Sequence, residues 1–423
     1  MTTLAGTVRA PLSRSQRILA PATFIALGLI DILGFAMFAK HGDARFAFSQ
    51  PFAKVTVPNL ALPAATTGYL LGAATIALGL ARAVLRFPVA ARRLSVAAVM
   101  LCFVVALLSW ADVGQPIPFN IINLLQGTLA ASIPLILGAL AGCLCERSGV
   151  INIAIEGQLL FGAFAAGIAA SFFGVLWLGL IMGSLAGGLL GAILAVFAIS
   201  YYVNQVVLGV VLNVFASGLT GFLYDRALVP YANKLNSPAT YLPIKIPLLG
   251  DIPIIGPVLF DSTIFLYITY AALILVQLGL FSTRWGLRVR AVGEHPTAAD
   301  TVGISVFAVR YRNVILGGLL AGIGGAYLTI GSVGTFTPDM SSGMGYIALA
   351  ALIFGRWTPL GAMAAALLFG FTLELQSILS TINVPIPSNI LLMAPYVVTI
   401  VAVAFRGGKV RAPRADGQPY VKA

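Results

Sequence analysis

The sequence predicts an all-α polytopic membrane protein of about twelve transmembrane helices, one of them short or re-entrant. Three observations predict it. Of 423 residues, 59% are hydrophobic and only 9% are charged, and the mean hydropathy is +0.99; an average soluble chain is about 25% charged. Apolar windows of roughly 20 residues, the helical length that crosses about 30 Å of hydrocarbon, recur from one end to the other. Glycine is abundant at 45 residues, and small residues let helices in lipid approach closely where hydrophobicity gives no driving force.

The first window, 18–39, follows Arg9, Arg14 and Arg17 and so mimics a signal peptide. It is too long for a signal core, which favours an uncleaved first span. Further spans are expected at 60–81, 94–111, 121–144, 149–172, 175–199, 205–224, 263–282, 312–332, 344–356, 359–380 and 389–405. The window 344–356 is too short to cross alone, so it reads as a broken or re-entrant helix, which survives in lipid only when covered by protein or water. The longest connection, 225–262, carries six prolines, at 230, 238, 243, 247, 253 and 257, and is expected to be extended or turn-rich on the outer face. Gly183, Gly187 and Gly191, and likewise Gly318 and Gly322, repeat every four residues, the spacing of close helix packing.

A net charge of +12 would suit a nucleic-acid partner, but the charges follow the loops. With twelve crossings, Lys40, Arg45, Lys54, Arg226, Lys234 and Lys245 fall on one side, and the other cationic residues, Arg310 and Arg312 among them, fall on the opposite side. The positive-inside rule then puts both termini in the cytoplasm. Membrane lipid is the expected surrounding, and no nucleic acid is expected. Cys102, Cys143 and Cys145 lack the spacing of a disulfide framework or a zinc site. His41 and His295 are the only histidines, so no metal site is expected. No G-x-x-x-x-G-K-[ST] run exists, so the chain has no cradle for ATP phosphates and no expected cofactor of its own.

Polar residues inside apolar segments are the candidates for function, since a charge at mid-bilayer costs at least about 2.5 kcal/mol. The run Glu146 to Gly157, E-R-S-G-V-I-N-I-A-I-E-G, places Asn152 and Glu156 four apart, on one face if the segment is helical. They could line a passage, or Glu156 could brace a neighbouring helix. A second stripe runs Gln205, Gly209, Asn213, Thr220 and Tyr224, and a third Gly370, Glu374, Ser377 and Thr381. Either stripe could solvate a neutral, hydroxyl-rich solute or hold helices together. The segment Gly286 to Gly303, G-L-R-V-R-A-V-G-E-H-P-T-A-A-D-T-V-G, predicts a short helix opened by Pro296 and closed by Gly303 in the left-handed conformation. It would present Ala298, Ala299 and Val302 for packing between two spans.

The runs at 146–157 and 286–304, in that order, resemble permeases of ATP-binding-cassette importers, in the superfamily serving branched-chain amino acids, simple sugars and nucleosides. The resemblance covers about 121–406. Glu146-Arg147-Ser148-Gly149 with Asn152 and Glu156-Gly157 looks most like the nucleoside-type branch. Sugar permeases more often carry Gly-Gly-Asn where this chain has Gly293-Glu294-His295.

The resemblance implies two permeases, the same or different, on two cassette ATPases that use the ATP, fed by an extracytoplasmic solute-binding lipoprotein at a bacterial plasma membrane. Arg290, Gly293, Glu294, Ala298, Ala299, Asp300 and Gly303 match the cytoplasmic coupling helix that docks on the ATPase. Asn152, Glu156, Gln205, Asn213 and Glu374 are the candidates for the solute pathway. The chain then divides into an N-terminal addition of about three spans (1–115), the permease core (116–406) and a cytoplasmic basic tail (407–423). Competing readings are a proton-coupled secondary transporter using Glu156 or Glu374, a simple-sugar permease, and a membrane enzyme, for which no clustered His, Asp or Cys exists at a membrane surface.

Overall fold

The computed structural model describes residues 14–50, 56–85, 87–382 and 412–422, with 384, 390 and 393 besides. Ten helices among the described residues are long and apolar enough to cross a membrane, and an eleventh, Met344–Phe354, is apolar but short. The expected span 389–405 lies, but for two isolated residues, outside the described residues. The chain forms two compact units: one takes the described residues up to Ile122 and from Ile378 to 392, the other Asn123–Ser377, residue 393 and the described tail.

In the first unit, α1 (Arg14–Ile30) contains Pro21 and runs on as a π-helical turn over Asp31–Ala36. It packs on α2 (Ala64–Val84), where Gly28 and Gly72 meet so closely that a Cβ on Gly28 would lie 2.7 Å from the Gly72 carbonyl oxygen. The third span, α3 (Val89–Asp112), brings Phe103 and Trp110 against Phe35. Three short strands depart from the all-helical expectation. β1 (Asp43–Ala47) pairs antiparallel with β2 (Leu60–Pro63) and parallel with β3 (Phe119–Asn120). Asp112 fastens β1 by accepting the Arg45 backbone N–H at 2.6 Å.

The second unit starts within α4 (Ile121–Arg147). That helix outruns its expected end and stops in a glycine cap: Gly149 has φ +89°, its N–H donates to the Glu146 carbonyl, and the Val150 N–H donates to that of Cys145. Helix α5 (Ile155–Phe173) therefore begins six residues later than the expected 149. Residues 148–154 are a break in the backbone, and Asn152 lies in the break, not on one helical face with Glu156.

Helix α6 (Leu176–Ala195) follows, then α7 (Gln205–Leu223), capped by the Asn204 side chain on the N–H groups of Val206 and Val207. The proline-rich connection contains two short helices, α8 (Ala232–Leu235) and α9 (Ile255–Phe260), and a two-residue hairpin, β4 (Ile244–Lys245) with β5 (Asp261–Ser262).

After α10 (Ile264–Ser282), α11 (Arg284–Glu294) and α12 (Pro296–Thr301) form the connection to α13 (Val306–Ala326), which continues as π-helix over Tyr327–Val333. Arg310, expected in a loop, lies inside α13 and is buried. The centre of the unit is α5, α6 and α13: Gly187 faces the backbone of Gly318 and Gly322, so the glycine repeats are where these helices touch. Helix α14 (Met344–Phe354) is 11 residues, about 16 Å at 1.5 Å per residue and so half a bilayer. A turn at 355–358, with Arg356 and Trp357 at positive φ, leads into α15 (Pro359–Thr381).

Candidate functional site

Four of the five pathway candidates converge on the break between α4 and α5. Its backbone groups have no helical partners, and a buried unpaired N–H is costly. Side chains supply the partners. The Ile151 N–H donates to Gln205 Oε1 at 2.7 Å, and the Gly157 N–H donates to Asn213 Oδ1 at 2.8 Å. Asn213 Nδ2 in turn donates to the Ile153 carbonyl at 2.9 Å and lies 3.0 Å from the Tyr346 hydroxyl. Asn152 is buried and donates to Gln158 Oε1 at 3.0 Å. Gln205 and Asn213 thus hold a non-helical backbone inside the bundle.

Glu156, in the first turn of α5, reaches across to α14. Its carboxylate accepts from the Ser341 hydroxyl at 2.6 Å and from the backbone N–H groups of Gly343 at 2.8 Å and Gly345 at 2.6 Å. The first turn of a helix leaves N–H groups unpaired and carries partial positive charge, so a carboxylate there satisfies both. Gly345 abuts the Glu156 backbone so closely that no Cβ fits. A half-length helix is therefore tied by its N-terminus to the restart of another.

Around this junction, several polar groups remain open: Tyr346 is 48% exposed, Ser342 is exposed, and the exposed Asp339 accepts from the Ser217 hydroxyl at 2.6 Å. Asp339 and Ser342 both have positive φ, so the loop that lines the junction is bent away from ordinary backbone geometry. Sequence reasoning missed Ser217, Asp339 and Tyr346; Tyr346 lies in the short window and Asp339 just ahead of it, whereas Ser217 lies far off in α7. Glu374 does not join them. It packs over Gly127 of α4.

The other end of the break is a second polar junction. The buried Glu146 carboxyl accepts from Trp357 Nε1 and from the Asn152 backbone N–H. Arg147 Nε donates to the Trp357 carbonyl at 2.8 Å. Glu146 and Arg147, the last two residues of α4, thus hold the turn between α14 and α15.

In the connection between α10 and α13, α12 opens on Pro296 and closes on Gly303 at φ +83°, with Gly303 N–H on the Asp300 carbonyl and Ile304 N–H on that of Ala299. Ala299 is 3% exposed and packs on Val292, Val306 and Tyr420, so it faces the protein while Ala298 faces out. Gly293 abuts the Arg147 carbonyl, and its missing side chain permits that approach. Arg290 lies over the Phe281 ring at 5.2 Å. Glu294 and Val302 are exposed, Val302 at 74%.

Residues 123–403 match the family described as branched-chain amino acid transport system permease component. The chain is 42% identical over 308 residues to the guanosine ABC transporter permease protein NupQ of Bacillus subtilis, spanning 71% of this chain and 96% of the relative. It is 40% identical over 319 residues to the nucleoside ABC transporter permease protein NupC of Lactococcus lactis, 72% of this chain and 99% of the relative. The glucose ABC transporter permease protein TsgB13 of Haloferax volcanii is 28% identical over 263 residues, 58% of this chain and 67% of the relative. No solved structure matches.

Proposed function

The chain belongs to the family of branched-chain amino acid transport system permease components, and from that premise we propose that it is the membrane-spanning permease subunit of an ATP-driven importer of nucleosides. The observation that carries the reading is the 42% identity to a guanosine permease along 96% of that relative's length. Hydrolysis belongs to a separate cassette ATPase, since this chain has no phosphate cradle. A solute-binding lipoprotein delivers the solute, and a second permease, identical or not, completes the pair. Both termini are cytoplasmic in a bacterial plasma membrane, with 1–115 an addition to the permease core.

The junction chemistry supports an uncharged solute. Half-helix N-termini in transporters serve to hold anionic substrate groups, but here Glu156 already fills that place. An amino-acid carboxylate would meet a carboxylate. A nucleoside has no such group: its hydroxyls suit Asp339 and Ser342, and its base suits the open ring of Tyr346. Glu156 is held by three donors, which favours a brace over a proton carrier.

The test is import of labelled guanosine into cells with and without this chain, challenged by excess adenosine, glucose or leucine. The proposal expects import only with the chain and competition by adenosine alone. Competition by glucose would favour the sugar reading, and competition by leucine would remove the argument from Glu156.

A further inference from the structure

Residues 412–422 carry Arg414 and Lys422 and belong to the stretch 407–423 expected to be a cytoplasmic basic tail, yet they are built into the protein. Pro413, Ala415 and Tyr420 are buried. One side of the segment grips the α11–α12 connection. The Ala415 N–H donates to the Gly293 carbonyl at 2.9 Å, and the Arg414 N–H to Glu294 Oε2 at 3.4 Å. The Tyr420 ring joins Val292, Ala299 and Val306, stands edge-on to Phe307 with centroids 5.6 Å apart, and its hydroxyl is bonded to Asp300.

The other side grips the bundle. Arg310 Nη1 donates to the Gln418 carbonyl at 3.0 Å, and the Asp416 carboxyl is paired with that of Glu146, beside the Arg310 guanidinium. Gly417, at φ +73°, passes so close to the α4–α5 break that a Cβ would lie 2.6 Å from Ile151 Cδ1. A six-residue helix such as α12 cannot hold its own shape or place by its few internal hydrogen bonds. Something must hold it.

We infer that residues 413–421 are a strap that fixes the coupling segment to the α4–α5 break, so that a push on α12 moves the break and does not simply bend the connection. Gln205 and Asn213 of α7 bind the backbone of the break, and Asn213 and Glu156 reach on to α14, so the strap joins the ATPase-facing surface to the solute junction. Tyr420 and Ala415 are positioning residues in this scheme. The inference rests on reading α12 as the ATPase contact, and that reading can be tested apart from it.

The experiment uses the chain assembled with its ATPase and binding protein in proteoliposomes, with labelled guanosine imported per ATP hydrolysed as the readout. Tyr420→Ala removes the ring from its cluster, and Ala415→Arg lifts the segment off Gly293; Tyr420→Phe keeps the ring. Losing one or two kcal/mol of docking changes the docked-to-free ratio about 5- to 30-fold. Tyr420→Ala and Ala415→Arg should therefore hydrolyse ATP while importing several-fold less guanosine for each one, and Tyr420→Phe should restore the ratio. In parallel, Ala298→Cys is crosslinked in the parent complex. Capture of the ATPase with unchanged ratios in both disruptive variants would overturn the strap alone. Failure to capture the ATPase would overturn the reading of α12, and the strap with it.

Discussion

Replacing Glu156 by alanine isolates the bond between α5 and α14. The carboxylate accepts two backbone N–H groups, of Gly343 and Gly345, and the buried Ser341 hydroxyl. The hydroxyl can turn to another acceptor, but the backbone donors cannot. An orphaned buried donor costs about 1–3 kcal/mol, so two cost about 2–6 kcal/mol. Loss of an anion at a helix N-terminus adds about 0.3–1 kcal/mol. Glu156→Gln keeps one accepting oxygen and turns an amide donor toward the remaining N–H, so it should lose roughly half as much.

Ile347, 7% exposed in the first turn of α14, reports this opening when replaced by cysteine. At about 1.4 kcal/mol per tenfold, even the low end predicts labelling about 30-fold faster in Glu156→Ala, with Glu156→Gln between it and the parent. Labelling within about twofold of the parent in both variants, far below the loss computed from orphaned donors, would refute the capping argument.

Three further outcomes follow from the same geometry. Gly345→Ala forces a Cβ against the Glu156 backbone and should destabilise the protein by about 1–3 kcal/mol, while Gly218→Ala, which meets nothing, should leave thermal stability in detergent unchanged or slightly raised. In everted vesicles free of ATPase, Ala298→Cys should react readily with a water-soluble maleimide and Ala299→Cys should not; equal reactivity would contradict the inward packing of Ala299. Burial and the Glu146 carboxyl hold the Asp416 carboxyl above the ordinary carboxylate range, against the opposing pull of Arg310. The docked tail therefore binds more protons than the free one: docking is strongest below the ordinary carboxylate range and weakens as pH rises through neutrality. Hydrogen-exchange protection of 413–420, corrected for intrinsic rate, should fall with pH in the parent and stay flat in Asp416→Asn.

What the sequence made legible was whatever depends on a local rule. Gly303 ends α12 because only a residue without a Cβ adopts the left-handed cap easily, and Pro296 opens it because its fixed φ suits a first turn. The short window at 344–356 announced a half-length helix because length sets what can cross a bilayer. The α4–α5 break was not legible: Asn152 and Glu156 have helical spacing, and the groups that bind its backbone include Gln205 and Asn213, more than fifty residues away.

Polarity alone does not say whether a side chain serves a solute or a backbone. The same blindness hid the tail, whose Arg414 and Lys422 suggest solvent while Ala415 and Tyr420 find their partners more than a hundred residues upstream. Arg310 was read as a loop cation because charge usually marks a loop, and here a buried guanidinium donates to the Gln418 carbonyl. The two- to five-residue strands are too short to show alternation.

The account turns on where the energy for transport comes from. The direct measurement is guanosine uptake by proteoliposomes that contain this chain with or without its ATPase and binding protein, driven in turn by ATP and by an imposed pH gradient. Uptake is expected only when all components and ATP are present, with no response to the gradient. Gradient-driven uptake by the chain alone would contradict it and return Glu156 or Glu374 to the role of proton carrier.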